Sequence, residues 1–252
     1  MNAIYPSHLA MFAELDRLHY RRIGGGEALE AVGALRQKAY DARDIYQVKF
    51  DQPVIEEADY SDGYYLVGLY AGDTMVATVR LGVLDSKNPD TPAAKMFPST
   101  LRPLVDQGQN FIDPSRMAVD PEFAGQFPSL PIFLLRTAVL ATGHFQANQC
   151  LSVIKKEHEG FYRRVFRSTR LAGPIQPEGH LVDVVLLGSA IENGPRIFDR
   201  YPVLNFNRFE REALFADLPE GRTLSDPVIP SAAEKIGLDV STIEKEIASR
   251  VA

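Results

Sequence analysis

The sequence predicts a mixed α/β (α+β) fold: a twisted, mostly antiparallel sheet flanked by helices. Three observations carry this. Residues 63–70 and 74–84 read as strands around Ala71-Gly72-Asp73, which marks a hairpin and the start of an antiparallel meander. Residues 27–40 and 128–146 carry the apolar spacing of helices packed on a sheet. The full order is helix, strand, strand, strand, helix, strand, helix, strand.

Residues 1–17 hold a short apolar period through Leu9, Phe12 and Leu15, a weak amphipathic helix read as an appendage. Residues 18–23 follow as a first strand. Gly24-Gly25-Gly26 has no following lysine and no dinucleotide spacing, so it reads as a hinge. The next helix has one apolar stripe through Leu29, Val32, Leu35, Ala39 and Tyr40. Arg36 and Tyr40 are four apart and share a face, with Arg43 a turn later. Glu56 and Glu57 lead through Asp59-Tyr60-Ser61-Asp62 into the hairpin, whose return strand contains Arg80. Residues 85–108 form a polar excursion, punctuated by proline, with an apolar patch at Met96, Phe97 and Leu101. It either covers a cleft or connects across the surface.

Strand 111–119 is interrupted by Asp113-Pro114-Ser115-Arg116. Proline donates nothing to a ladder, so Pro114 marks an edge or a bulge, and a bulge re-aims side chains beside an active site. Helix 128–146 follows, then a buried strand at 151–154, a helix at 156–166 with Phe161 and Tyr162, and a turn after residues 169–173. The last strand is 180–187. Beyond it, helical pieces at 206–215 and 232–252 are separated by prolines. The organisation predicted is an N-terminal extension over 1–26, the main domain over 27–190, and a helical tail or lid over 191–252.

Composition excludes several classes. The 252 residues are 45% hydrophobic and 24% charged, ordinary for a globular protein. A net charge of −6 argues against nucleic acid as a partner. One cysteine, Cys150, rules out a disulfide framework or a thiolate metal site, and its apolar setting reads as a buried small residue. No metal site is expected. No apolar run reaches membrane-spanning length and no signal-peptide pattern opens the chain, so a cytoplasmic location is expected.

Several motifs now coincide in order: Arg36 with Tyr40, Glu57-Ala58-Asp59-Tyr60-Ser61-Asp62, Arg80-Leu81 and Asp113-Pro114-Ser115-Arg116-Met117. Over residues 30–190 the chain resembles the acyl-homoserine-lactone synthases. It looks still more like their relatives, the long-chain N-acyl amino acid synthases of the Gcn5-related N-acyltransferase superfamily. Where lactone synthases carry an Arg-Leu-Gly-Trp element this chain has Ala42-Arg43-Asp44-Ile45-Tyr46, and it has no tryptophan. Their usual glutamate before Ser-Arg is Asp113 here. The stretch Glu159 to Phe166 is closer to the amino acid branch. The resemblance therefore implies transfer of a long acyl chain from a thioester to the amine of an amino acid. The alternatives are a lactone synthase using S-adenosylmethionine, a coenzyme-A-dependent N-acetyltransferase, and a binding or sensor module that keeps the fold without turnover.

That chemistry needs a base or a water relay for the amine proton and a fixed donor for the thioester oxygen. Asp113 is the candidate base or water-orienter, or else an ion-pair partner for an arginine. Ser115 either donates to the thioester or holds the strand. The resemblance implies that Arg36, Asp59, Asp62, Arg80 and Arg116, with Tyr40, surround the cleft, gripping the acceptor carboxylate or fixing the loops. Superfamily members using coenzyme A bind its pyrophosphate on a glycine-rich loop at a helix N-terminus. Here the loop Phe123 to Ser129 has one glycine, Gly125, which favours acyl carrier protein and its 4'-phosphopantetheine thioester as donor, with acyl-CoA possible. No permanently bound cofactor is expected. Lys155, Lys156, Arg163, Arg164, Arg167 and Arg170 form a basic cluster that either docks an acidic carrier or is a solvated helix face.

Overall fold

A computed structural model describes residues 6–43, 49–217, 223–224 and 226–231. The helix read over 232–252 and the stretch Asp44-Ile45-Tyr46 lie outside the described residues. The chain runs α1 (Pro6–Leu15), β1 (His19–Ile23), α2 (Glu27–Asp41), β2 (Tyr64–Ala71) and β3 (Thr74–Leu84). Then come α3 (Pro92–Met96), α4 (Pro98–Asp106), β4 (Phe111–Val119), α5 (Leu130–His144) and β5 (Gln149–Lys155). It continues with α6 (Glu159–Val165), β6 (Thr169–Ile175), β7 (Val184–Ala190), α7 (Gly194–Arg200) and α8 (Arg208–Phe215).

One seven-stranded sheet has the order β1-β2-β3-β4-β5-β7-β6. The hairpin predicted at Ala71-Gly72-Asp73 joins β2 to β3, and Gly72 takes a φ of 58° there, which only glycine adopts freely. Every neighbouring pair is antiparallel except β4 and β5, which run parallel and pair only through Phe111–Gln149 and Ile112–Cys150. Past Ile112 the two strands diverge, and the sheet splits open toward their C-terminal ends.

Three features differ from the sequence reading. Pro114 is not on an edge: β4 lies between β3 and β5, and the proline is tolerated because β5 has already diverged at its position. The bulge sits two residues on, where Arg116 and Met117 together oppose Val79 between the pairs Arg80–Ser115 and Thr78–Ala118. Residues 85–108 contain α3 and α4, both opened by proline at the first turn. Residues 169–175 form a full strand, hidden in sequence by Gly173-Pro174, and the last sheet strand starts at Val184, later than His180.

Helices cover both faces. α2, α3 and α4 lie on the face carrying Leu66, Phe111 and Leu151. α1, α5, α7 and α8 bury Val67, Val79, Leu81 and Ile112 on the other. α5 is apolar all round, with Leu130, Phe133, Leu134 and Leu140 fully buried, each stabilising by roughly 1.5–3 kcal/mol. Phe12 and Leu15 from the N-terminal stretch, and Ile197, Leu204 and Phe215 from the C-terminal one, enter this same core.

Candidate active site

The bulge in β4 and the split beside it organise the site. Asp113, Ser115 and Arg116 face a cleft of about 720 Å³ that is also lined by Glu56, Asp62 and Arg80. Asp113 is 1% exposed and accepts the Ala93 N–H of α3 at 2.8 Å. Burial pushes its carboxyl up to about 6, a rise only partly offset by that amide, the Thr91 hydroxyl and the Arg80 charge. Covering Asp113 is thus one job of the 85–108 excursion. Arg116 holds a φ of 52°, which the bulge imposes.

A chain of ion pairs runs behind the cleft. Arg36 grips Asp59 with both terminal nitrogens, at 2.7 and 2.9 Å, and both side chains are fully buried. Arg80 reaches Asp59 at 3.3 Å and Glu56 at 2.8 Å, and its Nε donates to Ser115 Oγ at 3.1 Å. Arg116 closes the chain with a two-pronged pair to Glu56. Burial alone would raise the Glu56 carboxyl, but Arg116 and Arg80 bring it down to about 2.

The expected residues therefore separate into two groups. Asp62, Arg80, Asp113, Ser115 and Arg116 meet at the cleft. Arg36 and Asp59 hold the walls from within, and Tyr40 packs beside Phe50, Val54 and Ala118 in a small core cluster. Glu56 joins the two arginines and was missed as a site residue. Its spacing of three from Asp59, that of a capping box, was the available signal; Asp59 accepts the Glu56 N–H at 2.8 Å.

Behind the split, on the α5 face, lies an apolar cavity of about 170 Å³ lined by Leu135, Val139, Cys150, Tyr162, Phe198 and Phe206 among others. Burial pushes the Cys150 thiol up to about 12, and the Asp113 charge adds to that rise. The cavity is walled by α5 and the cleft by α3, so the two lie on opposite faces of the sheet, with the opening between β4 and β5 between them. Among the described residues no group of His, Cys, Asp and Glu is arranged to hold a metal, and no helix is long and apolar enough to cross a membrane.

The family N-acyl amino acid synthase FeeM matches residues 31–190. The chain belongs to this family. As an N-acyl amino acid synthase family member it is an acyltransferase, and its fold is shared with solved acyl-transferring enzymes. FeeM, an N-acyl amino acid synthase from uncultured soil microbes, superposes with a TM-score of 0.56 at 13% identity, covering 70% of this chain and 92% of that one. A CoA-dependent acyl-homoserine lactone synthase, BjaI, with MTA gives 0.54 at 14%, covering 73% and 89%. The same synthase with SAM and isopentyl-CoA gives 0.51 at 14%, with the same coverage. No curated protein sequence matches.

The basic cluster follows β5 in the chain. Lys155 ends β5, and Lys156, Arg163, Arg164, Arg167 and Arg170 are exposed on and around α6. Arg170 is paired with Glu159. The loop with its single glycine precedes α5 as expected, but an internal acid occupies the start of that helix. Glu14 of α1 accepts Ser129 N–H at 2.9 Å and Ser129 O–H at 3.0 Å.

Proposed function

We propose that this acyltransferase moves an acyl group from a carrier-protein thioester to the amine of an amino acid. The observation that carries the reading is the buried Asp113 at a polar cleft, with an apolar cavity across the split between β4 and β5. The amine enters from the cleft, the thioester arm lies in the split, and the acyl chain fills the cavity. Asp113, ionised at neutral pH, takes the amine proton directly or through a water. The amine nitrogen attacks the thioester carbonyl carbon, the C–N bond forms, and the C–S bond breaks. The departing thiolate takes up the proton that Asp113 received.

Ser115 accepts from Arg80, which leaves its own hydrogen to donate into the cleft. The bulge at Arg116 and Met117 frees backbone groups of β4 to meet the negative thioester oxygen. Arg116, 27% exposed, faces the acceptor carboxylate while Glu56 holds it in place. Arg36 and Asp59 are positioning residues that act through Arg80.

Two observations support a carrier protein over coenzyme A. The seat at the start of α5, where a diphosphate would find helix amides, holds the Glu14 carboxylate. The basic residues on and around α6 are exposed and complement an acidic carrier. Mass spectrometry of lipid extracts from cells overproducing the protein tests the reading. A new amide joining an acyl chain to an amino acid is expected; an acylated lactone, or no new acyl product, would sink it.

A further inference from the structure

The cavity is shorter than a long acyl chain needs, and the reason lies outside the span that the family match covers. An apolar cavity of roughly 150 Å³ admits a benzene-sized molecule. The one here measures about 170 Å³. One wall is built by α7 and the turn before α8. Phe198 and Phe206 meet edge to face there, with ring centres 5.7 Å apart and planes at 86°.

Neither the turn nor the Phe206 ring can easily withdraw. A Cβ on Gly143 of α5 would stand 3.0 Å from the Phe206 ring, so the ring already rests on the α5 backbone. The turn carrying Phe206 is tied to α5 by Arg136, which donates to Val203 O at 2.9 Å and Asn205 O at 2.6 Å. Arg136 is itself fully buried and paired with Glu210 of α8. Phe198 and Phe206 are partly buried and pack against the main core, and withdrawing the Phe206 turn would break the two Arg136 hydrogen bonds that tie it to α5.

We infer that Phe198 and Phe206 are the stop of the acyl cavity and restrict transfer to chains of about hexanoyl to octanoyl length. The inference rests on the reading that this cavity seats the acyl chain. It departs from the long chain that the family resemblance implies. The departure follows from residues beyond position 190, which the family match does not include.

A competition between S-acyl-pantetheine thioesters from butanoyl to hexadecanoyl, with a mixture of amino acids as acceptors and products read by mass spectrometry, tests it. The wild type should prefer hexanoyl or octanoyl. Phe206→Ala and Phe198→Ala should each raise the dodecanoyl-to-hexanoyl ratio of kcat/KM about tenfold or more, since each added methylene then finds a seat. Phe206→Leu, which keeps the core filled, should shift it in the same direction by less, and it stands in if an alanine variant fails to fold. Val139→Phe narrows the cavity from the α5 side and should favour butanoyl. A wild-type preference for hexadecanoyl overturns the inference, as does an unchanged ratio in folded Phe198 and Phe206 variants. If Val139→Phe shifts the preference while those variants do not, only the stop is refuted. If none of the variants alters the preference while turnover persists, the cavity is not the acyl seat and that reading falls with it.

Discussion

Asp113 shows how one side chain is tuned by its surroundings. Its pKa rises on folding, from 3.8 to about 6, so the folded state keeps a proton that the unfolded chain has released. Stability therefore falls as pH rises across that window, and at neutral pH the ionised group works against the fold. Asp113→Asn keeps an acceptor for Ala93 N–H without the buried charge. At pH 7 it should be more stable than the wild type by on the order of 1–3 kcal/mol, while acyl transfer falls by about 100-fold or more. Urea denaturation with steady-state kinetics checks both. In the wild type, kcat/KM should drop as pH falls through about 6. Wild-type turnover by the asparagine variant across the pH range would remove Asp113 from the chemistry. Glu56 has the opposite sign: its lowered carboxyl adds stability above the ordinary carboxylate range, and that is lost as pH falls toward about 2.

At the scale of elements, β4 and α8 carry the strongest local constraints. Arg116 occupies the left-handed region because two residues of β4 oppose one of β3. Arg116→Ala and Arg116→Gly both remove the pair to Glu56, but only glycine relieves the backbone. The glycine variant should therefore be the more stable of the two by about 1 kcal/mol, a difference chemical denaturation resolves. Equal stabilities would mean that the bulge relaxes when the arginine is lost. α8 is held through Glu210, which pairs with Arg136 and also accepts Ser231 N–H at 2.9 Å. Glu210→Gln leaves the Arg136 charge buried without its counter-ion and should cost about 3–5 kcal/mol of stability, read as a lower denaturation midpoint.

For the whole molecule, charge distribution matters more than net charge. A chain of net charge −6 gathers exposed cations on and around α6. Steering acts on association and is screened by salt. Reversing Arg163 and Arg164 to glutamate should raise KM for acylated carrier protein at low salt and leave kcat nearly unchanged. A free acyl-pantetheine thioester should be indifferent to the change. Equal losses with both donors would mean that the arginines serve the site itself and not the docking of a carrier.

Local pattern was enough to determine the hairpin, the helices at 27–40 and 128–146, and the interrupted strand at Asp113, because periodicity and turn chemistry act between near neighbours. It also grouped Arg36, Asp59, Arg80 and Arg116, through motifs whose order resembled a known family. Other features depended on residues distant in sequence. α3 and α4 are too short for a periodic signal, yet α3 covers Asp113 and so helps set its acidity. β6 is masked by its glycine and proline, and becomes a strand only because β7 lies beside it. Whether Glu56 or Glu57 meets the arginines depended on a single 3-10 turn at Glu57–Asp59. The seating of Glu14 on α5, and of Phe198 and Phe206 in the wall of the cavity, joins parts of the chain that no local rule connects. Burial and partner choice are properties of packing, so tertiary structure alone decided which of the charged residues face the cleft and which hold it from within.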